Sequence, residues 1–576
     1  MRKRWRFLEP DSGLKTDLSQ ALGISPILAQ VLLNRGIRTV NEAERFLNAD
    51  LNELYNPYHL KDMSKAVRRV REAVTGSESI LIFGDKDVDG MTGTALLVGL
   101  LRQLKAKVRY YVPGSEDYGL EVETIKRAAS AGISLIISVD CGISNFEEIK
   151  AASELGLDVV ILDHHEVPAV LPEAWAVVDP KRKDCAYPFQ GLSGVGVAFK
   201  FGQALVSSLD LNREEINPDS PQMRGYLENY LDLVALGTIA DVVPLLDENR
   251  ILVKEGLKKL AETKKMGLIT LMRRLNLNQP TTADVGWKIA PLLNAAGRRN
   301  EAGLGVELLI TKGAGRASEI VDRLVQLNEE RKEQLSETLS KVAMEITGEV
   351  DENIIIIASP SCDRSLTGLV ANRLKDQFSR PVVVLTTEKE AKGSGRSIDA
   401  FDLTEVLPQC KDLLSKYGGH KKAAGLSLPF QNIEPFKEKM KDLARARLNP
   451  NDLIPEVPIE ARINLSDVSF DLVEELAKLA PFGTDNPEPI FSSLGLRNLE
   501  AEKIGSDQSH LRLRLKDKGD IITALGWKMG ELAPLVWKSD RCDLAFKIEI
   551  NSWGGKEELR LNLEDVRASA TKTSSS

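Results

Sequence analysis

The chain reads as a multidomain α/β protein with three structural parts: a doubly wound parallel sheet, a smaller α/β unit reached through one long helix, and a C-terminal β-barrel. Three observations predict this. From Ser79 onward the short β-rich runs SILIF, KVRYYV, LIISV and DVVIL alternate with helical stretches such as TGTALLVGLLRQL and NFEEIKAASELG. That alternation is the pattern of a parallel sheet covered on both faces. Around 316–347, Ile320, Leu324, Leu327, Leu335, Leu339, Val342 and Ile346 form one helical stripe, long enough to connect two lobes. Beyond the linker LNPNDLIPEVP, the segments HLRLRL, DIITALGW, DLAFKIEI and ELRLNL alternate with turns, as small barrels do.

In chain order, residues 1–78 read as helical and polar, with PILAQVLLNRG and NEAERFLN at helical spacing and Gly36 as a stop. The parallel-sheet domain occupies 79–315, and the connecting helix 316–350. The smaller α/β domain, opened by NIIIIA and PVVVLT, occupies 351–450, and the barrel 456–570. SLDLNREEINPDSPQMRG reads as a polar connection and TKTSSS as a disordered tail. No internal repeat is visible. A length of 576 residues is too great for one core. Five cysteines without a C-x-x-C argue against a disulfide framework or a zinc ribbon and fit a reducing cytoplasm. The basic start MRKRWRFLEP leads into no apolar run, and no stretch is long enough to span a bilayer. A net charge of −8 repels phosphate, so a nucleic-acid ligand would need a local basic groove.

The chemistry lies in four segments read as strand ends: GDKDVDG with Asp85, Asp87 and Asp89; SVDCG with Asp140; ILDHHE with Asp163, His164 and His165; and GTIADVVPL with Asp241. Carboxyl ends of strands in a doubly wound sheet line one ligand crevice. Carboxylates and imidazoles converging there cannot stay ionised without cations. Mixed oxygen and nitrogen ligation suits Mn²⁺, Mg²⁺ or Fe²⁺, and two such ions close together form a clamp for phosphoryl transfer. Taken singly, each residue has an ordinary explanation. An Asp after a strand is usually a turn or helix-cap residue. A D-x-D-x-D-G run resembles a calcium loop, but here lacks the later glutamate. The joint arrangement, with two of only five histidines adjacent, favours a metal site.

These segments resemble the DHH phosphoesterase superfamily, and within it the RecJ family of single-strand-specific 5′→3′ DNA exonucleases, over nearly the whole chain. GDKDVDGMTG, SVDCGIS, ILDHHE, ALGTIADVVPL and APLLNAAGR are similar to successive motifs of the first lobe. GSGRS and YGGHKKAAGLSL resemble motifs of a DHHA1-type second domain, and LAPFGTDNPEPIF with SHLRLRL resembles the oligonucleotide-binding (OB) domain. The resemblance implies two divalent ions, Mn²⁺ or Mg²⁺. Asp140 would bridge them, Asp89, His164 and Asp241 would complete one, and Asp87 with Asp85 would hold the other. His165 would face the scissile phosphate, with water as nucleophile and a 5′-mononucleotide as product. Asn294, Arg298, Ser394, Gly395, Arg396 and His420 would bind substrate, since arginine forks grip phosphate and glycines permit close approach. Phe482, His510, Arg512, Arg514 and Trp527 are barrel candidates for a strand track. The resemblance further implies single-stranded DNA as substrate, a role in DNA repair and recombination, and a monomer served by a single-strand-binding protein or a helicase.

Three positions depart from the pattern. Lys86 stands where relatives carry an aromatic, and an extended backbone would point it away from its Asp neighbours. Gly114 and Ser115 stand where an arginine is expected after YVP. SCDRSLTG replaces the usual WHEGVIG. Two competing readings are a DHH phosphodiesterase acting on oligoribonucleotides or small nucleotides, and a non-catalytic repair scaffold. The OB-like domain argues against the first, and the unspent acids with His420 against the second.

Overall fold

The structure is a computed structural model that describes residues 3–8, 11–114, 119–210, 225, 227–297, 301–346, 352–553 and 556–569. The tail TKTSSS, most of the polar connection after Ser208, and Arg298 and Ser115 lie outside them.

Residues before the sheet divide between two cores. β1 (Arg4–Phe7) pairs in parallel with a strand of the distant linker, so the segment expected to be purely helical opens on a strand. Helices α1 (Ser12–Leu22), α2 (Pro26–Asn34) and α3 (Val40–Asn48) pack Leu28, Leu32 and Ala43 into the core of the C-terminal barrel. Helix α4 (Met63–Thr75) instead buries Met63, Val67 and Val70 on the parallel sheet.

That sheet comprises β2 (Ser79–Gly84), β3 (Lys107–Tyr111), β4 (Leu135–Val139), β5 (Asp158–Leu162) and β6 (Ala176–Val178), all parallel, in the order β3-β2-β4-β5-β6. Helix α5 (Val88–Gln103) follows β2, α6 (Val122–Ser130) follows β3 and α7 (Phe146–Glu154) follows β4. The order reverses between β2 and β4, and such a switch point opens a crevice at the strand ends. One face packs Ile80, Ile82, Leu135 and Ile137 against α5 and later helices. The other packs Leu81, Phe83, Ile136 and Ile161 against α6 and α7. The three-residue β6, AVV, was too short to be read from the sequence as a strand.

Helices α8 (Gly194–Asp210), α9 (Leu231–Ala240), α10 (Asp247–Ala261), α11 (Met266–Arg274), α12 (Ala290–Gly297) and α13 (Gly303–Ile310) complete this lobe. The connector α14 (Ala314–Glu345) then spends its stripe on two cores: Ile320, Leu324 and Leu327 pack on the first lobe, Leu335, Leu339, Val342 and the following Ile346 on the second. The helix thereby fixes how the lobes face each other.

The second lobe holds β7 (Ile355–Ala358), α15 (Thr367–Phe378), β8 (Val382–Leu385), β9 (Glu390–Arg396), β10 (Lys416–His420), β11 (Ala423–Pro429) and α16 (Ile433–Arg447). Its sheet order is β10-β11-β9-β8-β7, parallel only between β7 and β8. After β12 (Glu456–Ile459), β13 (Ala461–Arg462) and α17 (Phe470–Ala477) come β14 (Phe491–Ile504), β15 (His510–Asp517), β16 (Asp520–Gly526), β17 (Arg541–Trp553) and β18 (Lys556–Ala568). The last five close on themselves through the β14–β17 pairing, and closure leaves no edge strand exposed. No described helix is long and apolar enough to cross a membrane.

Candidate metal centre and substrate cleft

The carboxylates converge because the chain turns sharply at each strand end. After β2, Gly84 abuts Thr94 and the Gly90 carbonyl so closely that a Cβ would collide with both. Gly90 lies against the Asp85 backbone, where a Cβ would come within 2.6 Å of the Asp85 nitrogen. These contacts fold the loop back, so Asp87 caps α5 by accepting from Gly90 N at 3.1 Å. Lys86 therefore sits half-buried in a bend rather than in the extended backbone expected of it. Its charge helps to offset the rise that burial and Asp87 impose on the Asp85 carboxyl.

Asp89 is buried in the first turn of α5. It accepts from Gly194 N at 2.6 Å and Val195 N at 2.9 Å, the N-terminal amides of α8. Asp140 ends β4 in the left-handed region, φ +63°, where a short polar side chain is tolerated. Asp163 is fully buried after β5. One oxygen accepts from Ile143 N at 3.0 Å; the other accepts from His164 N at 2.8 Å and lies 2.7 Å from His165 Nδ1. It is absent from the ligand set expected from sequence, yet it holds the His164 backbone amide and the His165 ring. Burial opposes its ionisation, but the His165 bond prevails and holds its carboxyl at about 2. For His165, burial lowers basicity and Asp163 more than restores it, to about 9.

Asp241 corrects one sequence expectation. It is the C-cap of α9, a helix end rather than a strand end. LDLVALGTIA is mostly apolar and is buried through Thr238, and periodicity cannot separate a buried strand from a buried helix in such a run.

His164 Nε2 lies 3.0 Å from an Asp140 oxygen, 3.5 Å from Asp241 and 3.9 Å from Asp89. Ligand atoms of Asp89, His164 and Asp241 lie within 4.8 Å of one another, as do those of Asp85, Asp87 and Asp140, and those of Asp140, His164 and His165. Asp85 Oδ1, His164 Nε2 and Asp241 Oδ2 are buried without a hydrogen-bond partner. Burial and mutual repulsion raise Asp85 and Asp89 to about 7, and Asp140 and Asp241 well above the carboxylate range. Orphaned buried acceptors of carboxylate and imidazole type fit two hard divalent ions, Mn²⁺ or Mg²⁺. The nearby Cys141 thiol is kept protonated, chiefly by burial, and offers no competing soft ligand.

Other expected residues are placed as follows. Asn294 on α12 accepts from Val88 N at 3.2 Å, bracing the carboxylate loop, while Gly297 packs on the Lys86 carbonyl. Arg298 falls outside the described residues. In the second lobe, Ser394 Oγ lies 3.0 Å from Thr367 Oγ1 at the start of α15, with Gly395 beside it on β9. Arg396 donates to the Gly395 carbonyl at 2.8 Å, and its fork sits so near Gly368 that a Cβ there would come to 2.9 Å. Asp363, within the divergent SCDRSLTG, accepts from Ser365 N at 2.8 Å and starts the turn leading into α15. His420 ends the exposed β10. Burial lowers its basicity, followed by Lys181 and His165 of the first lobe, with Glu166 opposing, so the two lobes face one cleft there. In the barrel, Arg512 and Arg514 pair with Glu502 and Glu500, and Phe482 packs on the core. Trp527 is half-exposed, its ring 5.0 Å from that of His510. Asp179 after β6, buried and raised to about 7 chiefly by burial and then Asp163, went unnoticed in the sequence because its strand did.

A switch-point crevice lined by this cluster and faced by a second lobe defines a DHH-type phosphoesterase. Family models for the DHH family N-terminal domain, the DHHA1 domain and the RecJ OB domain match residues 79–238, 336–446 and 459–565. The single-stranded-DNA-specific exonuclease RecJ of Bacillus subtilis is 34% identical, over 98% of this chain and 71% of its own length. The Escherichia coli enzyme of that name is 31% identical over 94% and 96%. The crystal structure of Thermus thermophilus RecJ with Mn²⁺ superposes with a TM-score of 0.84 at 31% identity, covering 98% of this chain and 79% of that one. The chain belongs to the RecJ family.

Proposed function

We propose that the chain is a single-strand-specific 5′→3′ DNA exonuclease that releases 5′-mononucleotides by hydrolysis supported by two divalent ions, acting in DNA repair and recombination. The observation that carries this reading is the convergence of Asp85, Asp87, Asp89, Asp140, Asp241 and His164 at one switch point, with ligand atoms within 4.8 Å in overlapping groups. Asp140 groups both with Asp85 and Asp87 and with His164, so it would be the ligand common to the two ions. Asp89, His164 and Asp241 would hold one ion, Asp85 and Asp87 the other. When bound, the ions polarise the scissile phosphate and make water a nucleophile at neutral pH.

The protein's own groups do the rest. Asp163 commits His165 Nδ1, so Nε2 is the ring atom that meets a phosphate oxygen. With its basicity held high by Asp163, His165 carries positive charge toward the substrate. Ser394, Gly395 and Arg396 beside the α15 N-terminus, with His420 two strands away in the same sheet, hold the strand's phosphates. Arg298 completes that set on sequence grounds. Trp527 offers a stacking face for bases that have yet to enter the cleft.

The domain boundaries that accompany this reading are 1–78, 79–315, 316–350, 351–450 and 456–570, with the first segment shared between two cores. The chain acts as a monomer in the cytoplasm, consistent with cysteines that are all free. A single-strand-binding protein or a helicase supplies the unpaired strand.

The test is digestion of end-labelled single-stranded DNA and RNA with Mn²⁺, wild type beside Asp140→Ala. Mononucleotides released from the 5′ end of DNA, with blunt duplex spared and the variant inert, are expected. Equal turnover of a dinucleotide and a long strand would replace this reading with a small-nucleotide phosphodiesterase.

A further inference from the structure

Asp241 is the one member of the metal cluster contributed by a helix C-terminus, and the segment that follows it is held by the OB domain. The next residue, Val242, sits at φ +62°, a conformation a β-branched residue adopts only when its surroundings impose it. Those surroundings are specific. Leu245 N donates to the Thr484 carbonyl at 2.9 Å. Gly483 presses on the Leu245 side chain, where a Cβ would come within 2.6 Å of Leu245 Cδ1. From the opposite side Asn249 Nδ2 donates to Pro244 O at 3.0 Å and Gly191 O at 2.6 Å.

Arg250, on the first turn of α10, closes the junction. It is 2% exposed and has no carboxylate partner among its hydrogen bonds. It donates to Phe46 O at 2.8 Å, Leu479 O at 2.6 Å and Lys478 O at 2.8 Å, with the guanidinium 3.9 Å over the Phe46 ring. The receiving loop is itself braced: buried Asn486 donates to Leu479 O at 2.9 Å and Pro481 O at 2.8 Å and accepts from Arg35 Nε at 2.8 Å. Burying a guanidinium against neutral carbonyls is costly. Burial, and then the nearby Arg35, pull its pKa down to about 10. A simple domain tether has no need of such a group on the helix that begins six residues after a site residue.

We infer that Arg250 and the OB-domain loop 478–486 are positioning elements for the metal centre, setting Asp241 against His164, so that the OB domain supports catalysis as well as tracking the strand. The inference rests on the reading of Asp241 as a metal ligand. Groups that orient ligands from behind typically change metal affinity by about 10–100-fold when altered.

The test uses the full chain, with Gly483→Ala, which alters only the OB side, and Arg250→Met. The metal-stripped proteins are titrated with Mn²⁺ alone by calorimetry. They are then assayed on the p-nitrophenyl ester of thymidine 5′-phosphate, a phosphodiester with no strand to track, and on a long oligonucleotide. Both variants are expected to bind Mn²⁺ about tenfold more weakly, and to lose ester turnover at low Mn²⁺ but regain it at high Mn²⁺. Wild-type Mn²⁺ affinity and ester turnover, with only the long-strand KM raised, would overturn the inference. Should Arg250→Met fail to fold by circular dichroism, Gly483→Ala alone decides, because it keeps every Arg250 hydrogen bond. A wild type that binds Mn²⁺ but ignores single-stranded DNA would refute the proposed function and leave this test standing.

Discussion

Stripping the metals should destabilise the first lobe in a pH-dependent way, and removing Asp140 should reverse part of that loss. Asp85 and Asp89 are held at about 7, against an ordinary value of 3.8, by burial first and by Asp87 second. Asp140 is raised by burial and then by Asp89, Asp87, Asp241 and Asp85. A folded state whose acids bind protons more tightly than the unfolded chain loses stability as pH rises from about 4 to about 7. Each fully buried acid raised that far costs on the order of a few kcal/mol at neutral pH. Mn²⁺ at about 100 times its Kd returns roughly 2.7 kcal/mol per site, or about 5 kcal/mol for two. For a lobe of this size that is roughly 10–20 °C in Tm. Scanning calorimetry from pH 4.5 to 7.5, with and without Mn²⁺, reads all of this. Metal-free wild type should melt lower as pH rises, and Mn²⁺ should flatten that slope. Metal-free Asp140→Ala should melt higher than metal-free wild type at pH 7 and gain little from Mn²⁺. A variant that melts lower than wild type without metal, or gains as much from Mn²⁺, would refute the view that these carboxylates are poised for cations.

Four further outcomes follow from single contacts. Gly194→Ala places a Cβ 2.6 Å from Asp140 Cβ at the α8 terminus that holds Asp89, so overpacking of about 1–3 kcal/mol and loss of nuclease activity are expected in melting and digestion assays. Asp163→Asn removes the carboxylate that holds His165 Nδ1 and should lower kcat about 10–100-fold with little change in KM for the strand; unchanged kcat would disprove the orienting role. Trp527→Ala should weaken long-strand binding by about 1–3 kcal/mol in a fluorescence titration and leave turnover of the thymidine ester intact. Lys86→Tyr removes a positive charge that acts on the Asp85 carboxyl and would repel Mn²⁺ there, so it should tighten Mn²⁺ binding by calorimetry; equal affinity would make Lys86 a neutral substitution.

Much of the fold was legible because its signals are local. Four of the five parallel strands are written as apolar β-branched runs, the connector as one stripe and the barrel as alternating strands. Periodicity and turn chemistry act over a few residues and survive without tertiary context. The segments carrying Asp85, Asp87, Asp89, Asp140, His164 and His165 were legible for the same reason, each following a readable strand. What the sequence could not reveal depends on contacts between distant positions. The three-residue β6, and with it Asp179, exists only because β5 lies alongside. Asp241 sits on a helix because its apolar run is enclosed on every side. Lys86 lies in a bend because Gly90 and Gly297 pack against that loop. Asp163 is an orienting group because its oxygens reach Ile143 N and His165 Nδ1. The first residues belong partly to the barrel core, hundreds of positions away in the chain, since Leu28, Leu32 and Ala43 pack into it while β1 pairs with β12 of the linker. Residue types and short spacings determined the chemistry this chain can perform. Long-range packing, which carries no periodic signature, decided which atoms meet and which domain holds them.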